Sequence, residues 1–246
     1  MSQLSNKVAL VTGGSRGIGR AIAKRLAKDG ASVAITYAKD AIAASAVVKA
    51  IELEGGKAVA IRADAADVEA VRNAVEKTVA TFGRIDVLVN NAGTALPKTF
   101  EETTLEEMDR VIDVNVRGTL AATQAALKHM KTGGRIIMIG SAVGERVVVP
   151  GLVAYSGTKG AVKMFAQALS REVGSRGITV NNVQPGPIDT DLNPAAGDWA
   201  VPQKAATALD RYGQADEVAA LVAFIAGPES SYITGSNLTV DGGMNA

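Results

Sequence analysis

Short, β-branched runs recur along the chain at Val8 to Val11, Ser32 to Thr36, Ala58 to Ile61, Val87 to Val89, Arg135 to Ile139, Thr179 to Val183 and Asn237 to Val240. Several are apolar nearly from end to end, the pattern of strands buried on both faces of a parallel sheet. Between them lie longer stretches with helical spacing: Arg20 to Lys28, Ala41 to Glu54, Val68 to Thr81, Leu105 to Met130, Ala154 to Gly174 and Ala215 to Ala226. Asp29-Gly30, Glu54-Gly55-Gly56 and Gly133-Gly134 punctuate helix ends. This alternation predicts an α/β fold, a doubly wound parallel sheet of about seven strands with helices on both faces. No linker, low-complexity tract or repeat divides the chain, so one domain over 1–246 is expected. Regularity fails from Pro185 to Tyr212, and long irregular segments in compact domains are commonly lids; a substrate lid is expected at about 188–212.

The first strand runs into Thr12-Gly13-Gly14-Ser15-Arg16-Gly17-Ile18-Gly19, a glycine-rich turn opening a helix. Small residues there permit positive φ and close approach of phosphates, and the free amides of the helix start suit a pyrophosphate. In isolation the same cluster reads as a tight strand-to-helix turn; its place after the first strand favours a dinucleotide site of Rossmann type. At the end of the second strand, where an NAD-selective site presents a carboxylate, stand Tyr37, Ala38 and Lys39. Two cations, Arg16 and Lys39, and no acid at the strand end favour NADP(H), unless both are solvated surface charges. Asp40 falls beyond the strand, at the start of the next helix, where its charge suits the dipole. Asp64 follows the third strand and can accept from an adenine amino group. Asn90-Asn91-Ala92-Gly93 follows the fourth and brings a small-residue turn to the cofactor; both could also be ordinary turns.

Composition narrows the field further. Hydrophobic residues make up 47% of the chain and charged ones 21%, enough for a large soluble core. With 26 basic and 25 acidic side chains, no global field draws in nucleic acid or an anionic membrane. There is no cysteine and one histidine, His129, which removes disulfides and makes a metal site unexpected. His129 sits between Lys128 and Lys131 near a helix end, as a solvated residue favourable to the dipole would. Glu101, Glu102, Glu106 and Glu107 form an acidic run suited to a helix start. The stretch Met1 to Lys7 has no apolar signal core, and no run of about 20 apolar residues spans a bilayer. A cytoplasmic protein is expected.

Tyr155 and Lys159 lie one helical turn apart on one face. A phenol needs help to exchange its proton near neutral pH, and a nearby ammonium lowers its pKa. Together with the glycine turn, Asn90 to Gly93, Ser141 in Ile139-Gly140-Ser141, Asn115 in Asp113-Val114-Asn115, and Pro185-Gly186, this pair makes the chain resemble a short-chain dehydrogenase/reductase along its whole length. The resemblance implies an Asn115–Ser141–Tyr155–Lys159 tetrad. In it Tyr155 is the proton donor, Lys159 also binds the nicotinamide ribose, Ser141 binds the substrate oxygen, and Asn115 anchors a water linking Lys159 to solvent. It also implies cofactor contacts at Gly13, Ser15, Arg16, Gly17, Ile18, Gly19, Tyr37, Ala38, Lys39, Asp64, Asn91, Ala92, Gly93, Tyr155, Lys159, Pro185, Gly186, Ile188 and Thr190. Taken singly, Ser141 could equally be a cap and Asn115 a surface position.

The expected activity is NADPH-dependent reduction of a ketone or 3-oxoacyl carbonyl, similar to bacterial 3-oxoacyl-carrier-protein reductases and carbonyl reductases. The family's substrate segments here offer Leu96, Val143, Val147, Val148, Val149, Leu152, Leu192 and Trp199, with Glu145 and Arg146 near the mouth. Only Lys128 and Lys131 stand near Ala126 to Lys131, a weak basic cluster for an acidic carrier protein. The Val183 to Asp191 and Gly144 to Arg146 stretches also look like a subgroup of the family linked to cyclic-dinucleotide binding and biofilm dispersal, which sets sequestration of a nucleotide beside catalysis. A homotetramer is further implied, packed through the helices at Leu105 to Met130 and Ala154 to Gly174. Their small residues (Gly118, Ala121, Ala122, Ala125, Ala161, Ala166 and Ala168) allow close approach, between copies or within the monomer.

Overall fold

A computed structural model describes residues 3–197 and 199–246. Met1 and Ser2, the start of the polar leading stretch, and Asp198, within the expected lid, lie outside the described residues. In chain order the elements are β1 (Val8–Val11), α1 (Gly17–Lys28), β2 (Ser32–Tyr37), α2 (Ala41–Leu53), β3 (Lys57–Arg62), α3 (Val68–Phe82), β4 (Val87–Asn90) and α4 (Leu105–Ile112). There follow α5 (Gly118–Leu127), β5 (Arg135–Ile139), α6 (Val153–Val173), β6 (Thr179–Pro185), β7 (Ile188–Asp189), α7 (Ala200–Ala205), β8 (Gly213–Gln214), α8 (Ala215–Ala226) and β9 (Asn237–Val240).

Seven strands form one parallel sheet in the order β3-β2-β1-β4-β5-β6-β9. The order reverses between β1 and β4, and ligands of doubly wound sheets bind beyond the carboxyl ends of strands at such a switch point. Alternate residues of each central strand feed two cores. Ala9, Val11, Val33, Ile35, Val87 and Val89 pack with Ile22 and Leu26 of α1, Val47 of α2 and Val222 of α8. Leu10, Ala34, Leu88, Ile136 and Met138 pack with Val75 of α3, Ala122 of α5 and Val162 of α6. Apolar residues at consecutive positions are therefore explained: both faces of the strand are covered.

Two departures from the expected pattern bear on function. The single helix expected over Leu105 to Met130 is broken. A π-turn occupies Asp113–Arg117, with Gly118 N donating to Asp113 O, and the helix ends at Leu127. Such a turn inserts one extra residue and re-aims the side chains within it; the residue re-aimed here is Asn115. The irregular stretch before Tyr212 holds more order than its sequence suggests. β7 pairs with β8, and a short helix, α7, lies between them. Asn193 and Gln203 exchange amide hydrogen bonds of 2.9 and 3.1 Å, and the Tyr212 hydroxyl donates to Asn193 Oδ1 at 3.3 Å.

Candidate active site

The glycine turn is built around contacts that leave no room for side chains. Gly13 and Gly17 have φ of 64° and 51°, in the left-handed region that favours glycine. A Cβ on Gly13 would come within 3.0 Å of Ala92 Cα, and one on Gly19 would collide with Gly13 O and Asn91 Nδ2. Asn91 Nδ2 donates to Thr12 O at 2.9 Å and Gly13 O at 3.1 Å, while Thr12 Oγ1 accepts from the Asn91 and Ala92 amides, each at 3.0 Å. The Asn91 side-chain amide thus bonds the glycine turn and holds the Asn90 to Gly93 turn against it. Helix α1 begins after Arg16 with no side-chain cap on its first amides, so they stay available to an anion, as a pyrophosphate site requires. Ser15 and Ile18 are half-buried in the same turn. Thr190 faces it from across the crevice, its Cγ2 3.4 Å from where a Gly17 Cβ would stand.

β2 runs one residue beyond the expected strand, so Tyr37 is its last residue, followed by half-buried Ala38 and exposed Lys39. Asp40 lies past the strand as expected and caps α2 by accepting from Ala43 N at 2.8 Å. Asp64 follows β3. Its Oδ1 accepts from Ala66 N at 3.0 Å, and both its oxygens accept from Arg110 Nη2 at 3.1 Å. Burial works against the charge of Asp64, yet these bonds and the charges of Arg110 and Lys39 leave its carboxyl below its ordinary 3.8. Arg110, in α4, is a neighbour that sequence reading missed; no local pattern ties it to a residue 46 positions earlier, across β4.

Tyr155 and Lys159 lie in the first turns of α6. Lys159 is buried, its Nζ donating to Ile139 O at 2.7 Å and standing 5.7 Å from the centre of the Tyr155 ring. Burial pushes its amine down to about 8. Burial also raises the Tyr155 phenol above its ordinary 10.0, and its hydrogen bond with Ser141 offsets part of that rise. The expectation that Lys159 lowers this phenol is corrected here: in the protein by itself the ammonium is turned to a backbone carbonyl, and desolvation dominates. Gly144 lets the Ser141 turn lie on α6, since a Cβ there would meet the Lys159 carbonyl carbon at 2.8 Å.

Asn115 is buried, not a surface position. Its Oδ1 accepts from Thr94 N at 2.8 Å, its Nδ2 donates to Thr94 O at 2.9 Å and Thr158 Oγ1 at 3.0 Å, and its carbonyl accepts from Thr119 Oγ1 at 2.9 Å. Its side chain therefore ties the segment after β4 to α6. A Cβ on Gly93 would stand 3.5 Å from both Asn115 Oδ1 and Lys159 Nζ, so the two residues share one wall of the crevice. Pro185 closes β6, and Gly186 packs where a Cβ would lie 2.7 Å from Asp241 Cα; Ile188 opens β7 and is buried. Val147, Val148, Leu192 and Trp199 are exposed at the mouth. His129 accepts a partner the sequence did not suggest: its Nε2 lies 2.9 Å from Glu76 Oε1 of α3. Among the described residues, no group of three or more His, Asp or Glu side chains could hold a metal, and no helix is long and apolar enough to cross a membrane.

A doubly wound sheet with a glycine turn at its switch point and a Ser–Tyr–Lys cluster beside it defines a Rossmann-type oxidoreductase. Residues 13–245 match the family model described as enoyl-(acyl carrier protein) reductase. The chain belongs to the short-chain dehydrogenase/reductase family. It is similar to a short chain dehydrogenase from Burkholderia cenocepacia J2315, solved in complex with NADP, at 53% identity and a TM-score of 0.98, over 99% of this chain and 100% of that one. It is 43% identical to the cyclic-di-GMP-binding biofilm dispersal mediator protein of Escherichia coli K12 over 100% of both chains. It is likewise 43% identical to the 3-oxoacyl-[acyl-carrier-protein] reductase of Synechocystis over 99% of both.

Proposed function

We propose that the protein is an NADPH-dependent reductase of ketones or 3-oxoacyl groups. The observation that carries this reading is the clustering of three groups at the carboxyl ends of the strands: the half-buried phenol of Tyr155, the Ser141 hydroxyl to which it is hydrogen-bonded, and buried Lys159 beside it. A group that must give a proton to a forming alkoxide needs to hold it at neutral pH. When bound, NADPH supplies the hydride. Gly13 to Gly19 and the first amides of α1 would bind its pyrophosphate, and Arg16 and Lys39 would flank its 2′-phosphate. Asp64, held by Arg110, would accept from the adenine. Ser141 would orient the carbonyl oxygen and stabilise its growing charge. Tyr155 gives the proton, and Lys159, with an amine near neutral pH, resupplies it. Asn115 holds the Thr94 segment and α6 together behind them.

The whole-length likeness to the E. coli mediator protein supports a second reading, binding of a cyclic dinucleotide in the same crevice. One experiment separates the two: NADPH oxidation across a panel of ketones and 3-oxoesters, beside calorimetric titration with cyclic di-GMP. Turnover with at least one carbonyl is expected. Micromolar binding of cyclic di-GMP with no carbonyl reduced would replace the first reading by the second.

A further inference from the structure

Ser141 owes its position to the turn it opens. Its backbone is extended at the end of β5, and Ala142–Gly144 then wind into a short tight turn. The serine holds this turn only loosely by itself, since Val143 N lies 3.4 Å from its Oγ. The turn is closed by its own backbone, Gly144 N donating to Ser141 O at 3.0 Å, and donors from far along the chain grip its carbonyls from outside. Gln184 Nε2 donates to Ser141 O at 3.3 Å, and Asn245 Nδ2 donates to Ala142 O at 2.9 Å. Ala142 O also accepts from the amides of Glu145 and Arg146, at 3.0 and 3.1 Å.

Asn245 is itself fixed from behind. Its backbone N donates to Asp241 Oδ2 at 3.1 Å, and Gly243 N donates to Asp241 Oδ1 at 3.0 Å, so one carboxylate winds the segment after β9. Gly242 and Gly243 turn it at φ of 65° and 81°, and Met244 is buried. The same segment seats the end of the lid, for Leu209 N donates to Gly242 O at 3.1 Å. Gln184 Oε1 and Asn245 Oδ1 are buried without a protein partner. Burying an unpaired acceptor is costly, and an apolar side chain would avoid it; both amides are placed for their donor ends.

We propose that Asn245 is a positioning residue of the reaction, clamping Ala142 so that the Ser141 hydroxyl meets Tyr155 and the substrate oxygen. The inference rests on the reductase reading and adds to it a residue about 100 positions from the serine it serves. Asn245→Asp is nearly isosteric but sets an acceptor against Ala142 O, and Asn245→Ala removes the donor outright.

Both variants are compared with wild type, each with and without Ser141→Ala. Turnover is followed with NADPH and ethyl acetoacetate, or the best ketone of the panel, and NADPH affinity by its fluorescence. Hydrogen exchange over 142–148 gives a readout that needs no turnover. Exchange there should quicken about tenfold, as expected when a buried bond is lost, with NADPH affinity within about twofold of wild type. In Asn245→Asp kcat should fall about tenfold when Ser141 is present and less than about twofold when it is not, the non-additivity of groups acting as a unit. Unchanged exchange, or equal losses in the two backgrounds, overturns the proposal. Loss of turnover in Tyr155→Phe with none in Asn245→Asp overturns this inference alone; full turnover in Tyr155→Phe overturns the reductase reading instead.

Discussion

Tyr155 and Lys159 are perturbed in opposite senses by the same burial. Tyr155→Phe removes the hydroxyl and keeps the ring, so fold and NADPH binding should survive while kcat falls by more than tenfold, a loss above about 1.4 kcal/mol of transition-state stabilisation. Steady-state rates and NADPH fluorescence check this. Stability should carry the signature of both groups. Between about 8 and 10.5 the unfolded chain holds a proton on Lys159 that the folded chain has released, so unfolding free energy rises with pH there. Above the ordinary phenol value of 10.0 Tyr155 acts the other way, since only the unfolded chain ionises it freely. Denaturation of wild type and Lys159→Met should show the wild-type advantage growing from pH 8 to 10; parallel curves would contradict the lowered amine. Arg16 and Lys39 set a third expectation. A charge-assisted bond to a 2′-phosphate is worth about 1.5–3 kcal/mol, so Arg16→Ala should lower kcat/KM for NADPH at least about tenfold more than for NADH, and Tyr37→Asp should favour NADH by repulsion. At this scale local spacing was informative: Tyr155 and Lys159 stand one helical turn apart and the glycines crowd into a single turn, so each group can be seen within a few residues of chain although its contacts (Ile139, Ser141, Asn91) lie elsewhere. The bonds of Arg110 to Asp64 and of Asn91 to Thr12 join distant stretches, and nothing in either stretch alone announces them.

Elements were legible where their pattern ran long. Strands β1 to β6 and β9 begin and end within a residue or two of the apolar runs, because burial on both faces writes itself into consecutive positions. The two-residue strands β7 and β8 are too short for any period, and α7 has only six residues. The π-turn at Asp113–Arg117 escaped notice because its sequence is compatible with a continuous helix; contacts from Asn115 to Thr94 and Thr158 accompany it. The segment 188–212 is the one we propose as a lid. Closure over a cofactor excludes water from the reacting groups, and we expect amide exchange over 190–209 to slow when NADPH binds. Gln203→Ala breaks the amide pair with Asn193 and should speed that exchange in the free protein while leaving α1 and β1 unaltered. Equal protection of 190–209 with and without NADPH would count against a lid.

For the molecule as a whole, the small residues left open between packing of copies and packing within the monomer divide: Ala161 and Ala168 are exposed, while those of α5 and Ala166 are buried within the chain. Gly118, Ala121, Ala122 and Ala125 are buried against the chain's own sheet and α3. Leu105 and Ile112 of α4, Leu120 of α5, and Val153 and Met164 of α6 are exposed instead. We propose that these apolar side chains pack in a homotetramer. Small-angle scattering at micromolar concentration should return four times the 25.2 kDa chain mass, and Leu120→Glu with Met164→Glu should lower it; a monomeric wild type would refute the assembly. The sheet and its switch point could be read from alternation alone, but which side chains face outward depends on how helices roll against the sheet. The turn after β9 has a practical corollary. A purification tag or fluorescent reporter fused behind Ala246 would begin one residue from Asn245, beside the Ser141 turn and the bond from Leu209 to Gly242. Such a fusion should lower measured rates without unfolding the protein, whereas one joined ahead of β1 enters at the amino ends of the strands, away from the carboxyl ends where the site lies.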